Sequence, residues 1–252
     1  MVIDILLIDN NLKEKALARY LITFIFFIHI IFSAESINNF TLNNSESINS
    51  FQITFELDEV TFEENNGYTK INSNSKGETS IIGLPKLPQF STLLKLDPFK
   101  EYDISYSVEN SYIIEDIDII PNQRIDLNGL EKSSIENKDN SFYSSSENYP
   151  YENITLSDPM VMRDLVLSNV TIVPFQYNPK NRQLEIYQTV EIHVYEVGEA
   201  SDIRRRSMPS SRVFENIYKN SIINYNTNSR DDYQQPAVLY IGPSSAIGNA
   251  TF

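Results

Sequence analysis

The stretch Leu165–Val197, LVLSNVTIVPFQYNPKNRQLEIYQTVEIHVYEV, decides the fold. Two apolar-alternating runs flank Asn178-Pro179-Lys180-Asn181, a cluster of turn formers. In the second run Leu184, Ile186, Val190, Ile192 and Val194 share one parity, and Glu185, Thr189, Glu191 and His193 take the other. Period two of this kind describes a half-buried strand with one wet face. Pro179 fits the second position of a turn because its ring already fixes φ there. The expected element is a β-hairpin in which Val170–Val173 pairs with Leu184–Val194 across Asn178–Asn181.

Strand signals continue upstream. Phe51, Ile53, Phe55 and Leu57 alternate with polar neighbours, as do Tyr102, Ile104, Tyr106 and Val108. A third run, Tyr112 to Ile120, puts Ile113, Ile117 and Ile119 on one parity and stops at Pro121, which cannot donate to a ladder. Short strands punctuated by Asn, Ser, Gly and Pro predict an all-β domain over 51–200, an antiparallel β-sandwich or open barrel. Asn128 to Tyr149 interrupts it with a polar excursion, of the length that is either disordered or functional inside a compact domain. Residues 35–50, rich in Asn and Ser, read as a polar tether.

Beyond Val197 the pattern changes. Residues 201–235 read as a connector holding one short helix from Ser211, with Val213, Phe214, Ile217 and Tyr218 on one face. Pro236 then opens Ala-Val-Leu-Tyr-Ile before Gly242-Pro243-Ser244-Ser245. A continuous apolar run ending in such a turn is how a buried parallel strand begins an α/β unit. Residues 236–252 are therefore expected to be the start of a second domain, cut off before its crossover helix.

The hairpin is more particular in sequence than in geometry. Arg163-Asp164-Leu165, Val173-Pro174-Phe175-Gln176-Tyr177-Asn178-Pro179 and Leu184-Glu185-Ile186-Tyr187 together resemble the prodomain of gingipain-type cysteine peptidases. Gly83-Leu84-Pro85-Lys86-Leu87-Pro88 upstream and Ile222-Ile223-Asn224-Tyr225 downstream extend the resemblance across roughly Phe51 to Phe252. It implies a zymogen prodomain that assists folding of a caspase-like peptidase and keeps it latent, with that peptidase following in cis as the partner. It also implies cleavage in the connector, for which Arg206, Arg212 and Arg230 are the processing candidates, beside Arg204 and Arg205. A basic side chain from an exposed loop would enter the peptidase's specificity pocket as a substrate mimic. Arg124, Lys132 and Lys138 are the candidates.

The N-terminus bears on where such a protein would act. Leu21 to Phe32 is an apolar run preceded by Lys13, Lys15 and Arg19 and followed by Ser33-Ala34. Basic flank, short apolar core and small residues describe a secretory signal over 1–34, cleaved near Ser33 or Ala34, and hence a secreted or cell-surface protein. The run is short for a spanning helix. An uncleaved anchor and a buried core helix are the alternatives, and membrane contact is expected through this segment only.

Composition narrows the chemistry. With 34 acidic and 20 basic residues, the net charge of −14 offers no field for phosphates, so no nucleic-acid partner is expected. There is no cysteine among the 252 residues, hence no disulfide, thiolate metal site or thiol nucleophile. His29 lies in the apolar N-terminal run, and His193 sits mid-strand on the polar face. Seven glycines form no phosphate loop, and neither metal nor cofactor is expected. Asp116-Ile117-Asp118 and Asp231-Asp232 lack the spacing of a calcium loop and read as solvated acids. Asn39, Asn43, Asn153, Asn169 and Asn249 each begin an N-x-S/T triplet. The chain itself is thus no enzyme. Two rival readings stand beside the prodomain: a cell-surface β-sandwich for adhesion or carbohydrate binding, presenting some of the fifteen tyrosines, and a purely structural module.

Overall fold

The computed structural model describes residues 35–37, 39–43, 50–124, 137–202 and 211–226. Within them the strands are, in chain order, β1 (Glu35–Ile37), β2 (Phe40–Asn43), β3 (Ser50–Glu56), β4 (Thr61–Asn65), β5 (Tyr68–Asn72), β6 (Gly77–Glu78) and β7 (Pro88–Leu96). They continue as β8 (Lys100–Ile114), β9 (Ile154–Leu156), β10 (Met160–Met162), β11 (Leu165–Ile172), β12 (Phe175–Asn178) and β13 (Gln183–Glu199). Two short helices, α1 (Asn140–Tyr143) and α2 (Glu215–Ser221), complete the order, the second entered through a 3-10 turn at Arg212–Phe214.

Two antiparallel sheets pack face to face. The first runs β1-β2-β3-β13-β12, with β8 along the other side of β13; the second runs β10-β11-β7-β6, with β9 also on β11. Inward side chains of both sheets, among them Phe55, Phe90, Leu94, Val170, Ile172 and Ile192, share one core. The arrangement is the sandwich form of the expected all-β class and not a closed barrel.

β13 obeys its alternation. Leu184, Ile186, Val190, Ile192 and Val194 are buried, and the opposite parity is half-exposed. The alternation breaks at a bulge near Gln188, where Tyr187 turns inward before the phase resumes at Val190. The expected turn also forms. Asn181 N–H donates to Asn178 Oδ1 at 3.0 Å, and Arg182 takes a positive φ of 52°.

The partner of β13 differs from expectation. Phe175–Asn178, not Val170–Val173, pairs with Gln183–Ile186. β11 instead crosses to the second sheet and pairs with β7, because the chain changes sheets at Pro174. Pro174 carries no N–H for a ladder, and Asn153 holds the flanking carbonyls in place of one. Asn153 Nδ2 donates to Val173 O at 2.9 Å and to Phe175 O at 3.0 Å. With its amide so committed and only 4% of its surface exposed, Asn153 is closed to glycosylation in the folded protein.

Three further expectations change. The stretch 35–50, read as a polar tether, carries β1 and β2, and Phe40 is buried in the shared core because β2 pairs with β3. Tyr112–Ile114 continues β8 instead of opening a new strand, which leaves Ile113 exposed while Ile117 and Ile119 enter the core. The polarity switches at Asp116, whose φ of 56° kinks the chain. Downstream, residues 211–226 from the presumed connector are built into the second sheet. Ile223 N–H donates to Leu93 O at 3.0 Å, and Asn224 pairs with both backbone groups of Lys95. Tyr218, Ile222 and Tyr225 cover Leu165 and Leu167, so β11 is buried on both faces. Of the helix face foreseen from sequence, Phe214 and Tyr218 pack inward, whereas Val213 and Ile217 are exposed. Residues 1–34, with Ser33 and Ala34, and the strand expected from Pro236 lie outside the described residues.

Buried phenols give the fold an alkaline limit. Burial raises the pKa of Tyr102, Tyr143, Tyr149, Tyr177 and Tyr187, the last to about 12. An unfolded chain releases the same protons near pH 10. A raised native pKa contributes stability that is complete below that value and lost as pH climbs through the native one. The urea midpoint is therefore expected to fall above about pH 10, with tyrosinate absorbance appearing as the chain unfolds. A midpoint unchanged well into that range would contradict the burial of these rings.

Candidate functional site: a clamped loop

The polar excursion leaves and re-enters the sandwich at Arg124 and Asn137, and a side-chain clamp joins its two limbs. Gln123 Nε2 donates to Asn137 O at 2.8 Å and to Pro121 O at 2.9 Å, while Asn137 N–H returns to Gln123 Oε1 at 3.0 Å. One amide thus imitates a β-bridge between chain segments that no ladder connects. Residues 125–136 between these limbs lie outside the described residues.

The Gly-Leu-Pro-Lys-Leu-Pro segment supports the clamp from below. Gly83 N–H donates to Asn122 O at 2.9 Å, Asn122 N–H to Leu84 O at 2.8 Å, and Asp139 N–H to Gly83 O at 3.0 Å. Gly83 therefore contacts both limbs. Its φ is 86°, and a Cβ there would stand 3.1 Å from Asp139 N, so only glycine fits without strain. Buried Asn122 also reaches Thr79 Oγ1 and Pro85 O, each at 3.4 Å. Beside this strap Ile81 and Ile82 are exposed.

The returning limb is anchored by α1. Asp139 caps it, its Oδ1 accepting from Ser141 N at 2.9 Å and Phe142 N at 3.1 Å. Hydrogen bonds from the Phe142 N–H and the Ser141 hydroxyl hold its carboxyl below the usual carboxylate range. Phe142 then enters a second core with Leu84, Leu87, Ile119, Tyr149 and Tyr177, and Tyr143 Oη donates to Ile119 O at 2.8 Å.

The basic candidates fall differently. Arg124 is exposed on the outgoing limb. Lys138 is engaged at the loop's foot, its Nζ donating to Tyr68 Oη at 2.8 Å and lying 4.6 Å from the Tyr143 ring centre. Lys132 lies outside the described residues, as do Arg206 and Arg230, whereas Arg212 is exposed in the 3-10 turn. Asp116 and Asp118 face Arg182, at 3.6 Å and 3.1 Å, and are an ion-pair cluster. Asp231 and Asp232 are outside the described residues. Among the described residues no group of His, Asp and Glu could hold a metal. His193 is in register with Gln52 and Ser105, its ring against Tyr195. The sequence reading marked the excursion but missed the clamp, since a lone Gln and a lone Asn make no pattern.

Comparison with known proteins adds the following. The family model described as Propeptide_C25 matches residues 38–232. Gingipain R1 of Porphyromonas gingivalis is 27% identical over 180 residues, covering 69% of this chain and 18% of that protein. Gingipain R2 from strain W83 of that organism is 28% identical over 182 residues, covering 69% of this chain and 24% of the relative. The chain thus spans about a quarter or less of these curated relatives. A solved complex of Porphyromonas gingivalis RgpB pro- and mature domains contains a similar chain, with TM-score 0.65 and 23% identity over 75% of this chain and 98% of that one. A structure described as giving insight into the zymogenic latency of gingipain K matches 66% of this chain and 96% of its own, at TM-score 0.53 and 19% identity.

Proposed function

The chain belongs to the Propeptide_C25 family and is a gingipain-type propeptide, and from this we propose that it keeps a gingipain-like cysteine endopeptidase latent. The observation carrying the proposal is the clamp at Gln123 and Asn137, which fixes both feet of residues 125–136 on a rigid sandwich. Ordering a loop on binding costs free energy, and a loop whose ends are already fixed loses less of it. Of the basic candidates Lys132 falls within that interval and Arg124 is exposed at its outgoing foot, whereas Lys138 is engaged with Tyr68. A basic side chain presented there would occupy a specificity pocket as a substrate mimic. Binding the native peptidase and not its unfolded chain, the domain would also assist folding by mass action.

Export through residues 1–34 and processing at Arg206, Arg212 or Arg230 complete the proposal. The chain holds no cysteine and is expected to leave peptide substrates intact on its own. Added in trans to the mature peptidase, it is expected to inhibit reversibly. Tethering would only raise the effective concentration, to about millimolar for a short flexible link. Replacing Arg206, Arg212 and Arg230 together by Gln should slow maturation while inhibition in trans persists. Absence of binding and inhibition at micromolar chain would end the latency reading and leave an adhesive or structural module as the better account.

A further inference from the structure

A groove of about 720 Å³ opens between the sheets at the Val197 end of β13. The clamped loop lies toward the Leu184 end, so the two features are separated by most of the 17 residues of that strand. The groove's floor is apolar, with Leu96, Ile154, Leu156 and Val166. Its rim carries Asp97, Glu101, Asp103, Glu152, Asp158 and Asp202, with Lys100 as the lone base in the lining.

Lys100 does not offset this acid. Its Nζ lies 2.8 Å from Glu196 and 2.6 Å from Glu199, and hydrogen bonds to both hold the ammonium far above the usual lysine pKa. Three rim acids already accept backbone N–H groups: Asp97 from Phe99 at 2.9 Å, Asp103 from Ile104 at 2.7 Å and Glu101 from Ser201 at 3.2 Å. The carboxylates of Glu152, Asp158 and Asp202 make neither an ion pair nor a hydrogen bond among the described residues.

A second observation points into the same groove. Ser168 lines it, is fully buried, and its Oγ has no hydrogen-bond partner. Its neighbours of the same parity, Val166, Val170 and Ile172, are apolar, so the hydroxyl sits in an otherwise hydrophobic wall. Buried polar groups are nearly always paired, and an orphan beside a groove marks where a donor or acceptor is missing.

We infer that this groove binds an extended cationic peptide segment. A guanidinium or ammonium entering between the sheets would donate to Ser168 Oγ. Further basic side chains would meet Glu152, Asp158 and Asp202, with their alkyl stems on the apolar floor. A peptide fits better than a free polyamine because of β9. That strand pairs only with β11 among the described residues and offers its other edge to an added backbone. The inference is independent of the latency reading, since its residues lie away from the clamp.

The test uses the full chain with Arg204, Arg205 and Arg206 replaced by Gln, so that the connector's own cations do not compete. The probe is a fluorescein-labelled Ala-Arg-Ala-Arg-Ala peptide followed by anisotropy, with spermine as competitor. Saturable, salt-sensitive binding is expected, weakened about ten-fold or more by Glu152→Gln, Asp158→Asn and Asp202→Asn combined. Ser168→Ala should weaken it several-fold while thermal unfolding shows the domain intact. Binding should also slow hydrogen exchange along β9. No binding at millimolar peptide, equal binding by the triple variant, or displacement by spermine at concentrations matching the peptide's own affinity would overturn the inference. None of these outcomes alters inhibition in trans, so this proposal and the latency reading fail separately.

Discussion

Ile192→Asp is expected to unfold the domain. Ile192 is 1% exposed, lies opposite Ile53 on one side and Tyr106 on the other, and packs in the core shared by the two sheets. An aspartate there buries a carboxylate with no cation to meet it, at a cost above about 4 kcal/mol. That is a large part of the roughly 5–15 kcal/mol that holds a domain together. His193→Asp, one residue on and facing outward, loses only a ring contact with Tyr195 and adds a charge near Glu191. Its cost should stay near about 1 kcal/mol. Urea unfolding of the two variants decides the matter, and equal midpoints would show that the two faces of β13 are misassigned.

Tyr218→Ala is expected to be nearly as damaging. Tyr218 is fully buried between Tyr225, 5.3 Å away ring to ring, and Phe214 at 6.0 Å, and its hydroxyl donates to Asp164 at 3.2 Å. Truncation leaves a ring-sized cavity against Leu165 and Leu167, worth about 3–5 kcal/mol. Ile217→Ala, on the neighbouring exposed position, should change stability by no more than about 0.5 kcal/mol. If the two substitutions act alike in chemical denaturation, residues 211–226 are not part of the folded unit.

The contrast between these helix neighbours explains what was legible beforehand. β13 is legible in the sequence because one face meets a core and the other meets water, and period two records that difference directly. β11 carried no such record. Covered on one face by the opposing sheet and on the other by α2, its apolar residues name no partner, and nearness in sequence points to β13 although β7 is the strand it pairs with. α2 was foreseen, but its face was set at about 100° per residue from Ser211. Phe214 and Tyr218, four residues apart, form the line that packs inward, and Val213 and Ile217 each sit one residue, about 100°, to the side of it and face water. The β4–β5 hairpin escaped notice although Asn66-Gly67, both at positive φ, is a strong two-residue turn signal. Exposed Thr61–Asn65 gives it no apolar face to betray it. At the loop, composition marked the excursion, while the clamp depends on where two amides meet in space.

That clamp has a topological consequence. Because Gln123 and Asn137 hold the limbs by hydrogen bonds, and α1 and the Gly83 strap hold each limb separately, the sandwich does not depend on covalent continuity between residues 125 and 136. A single cut within that interval would leave the Gln123–Asn137 hydrogen bonds in place, so the two pieces would stay associated. The nicked protein would migrate as two pieces under denaturing conditions and as one under native conditions.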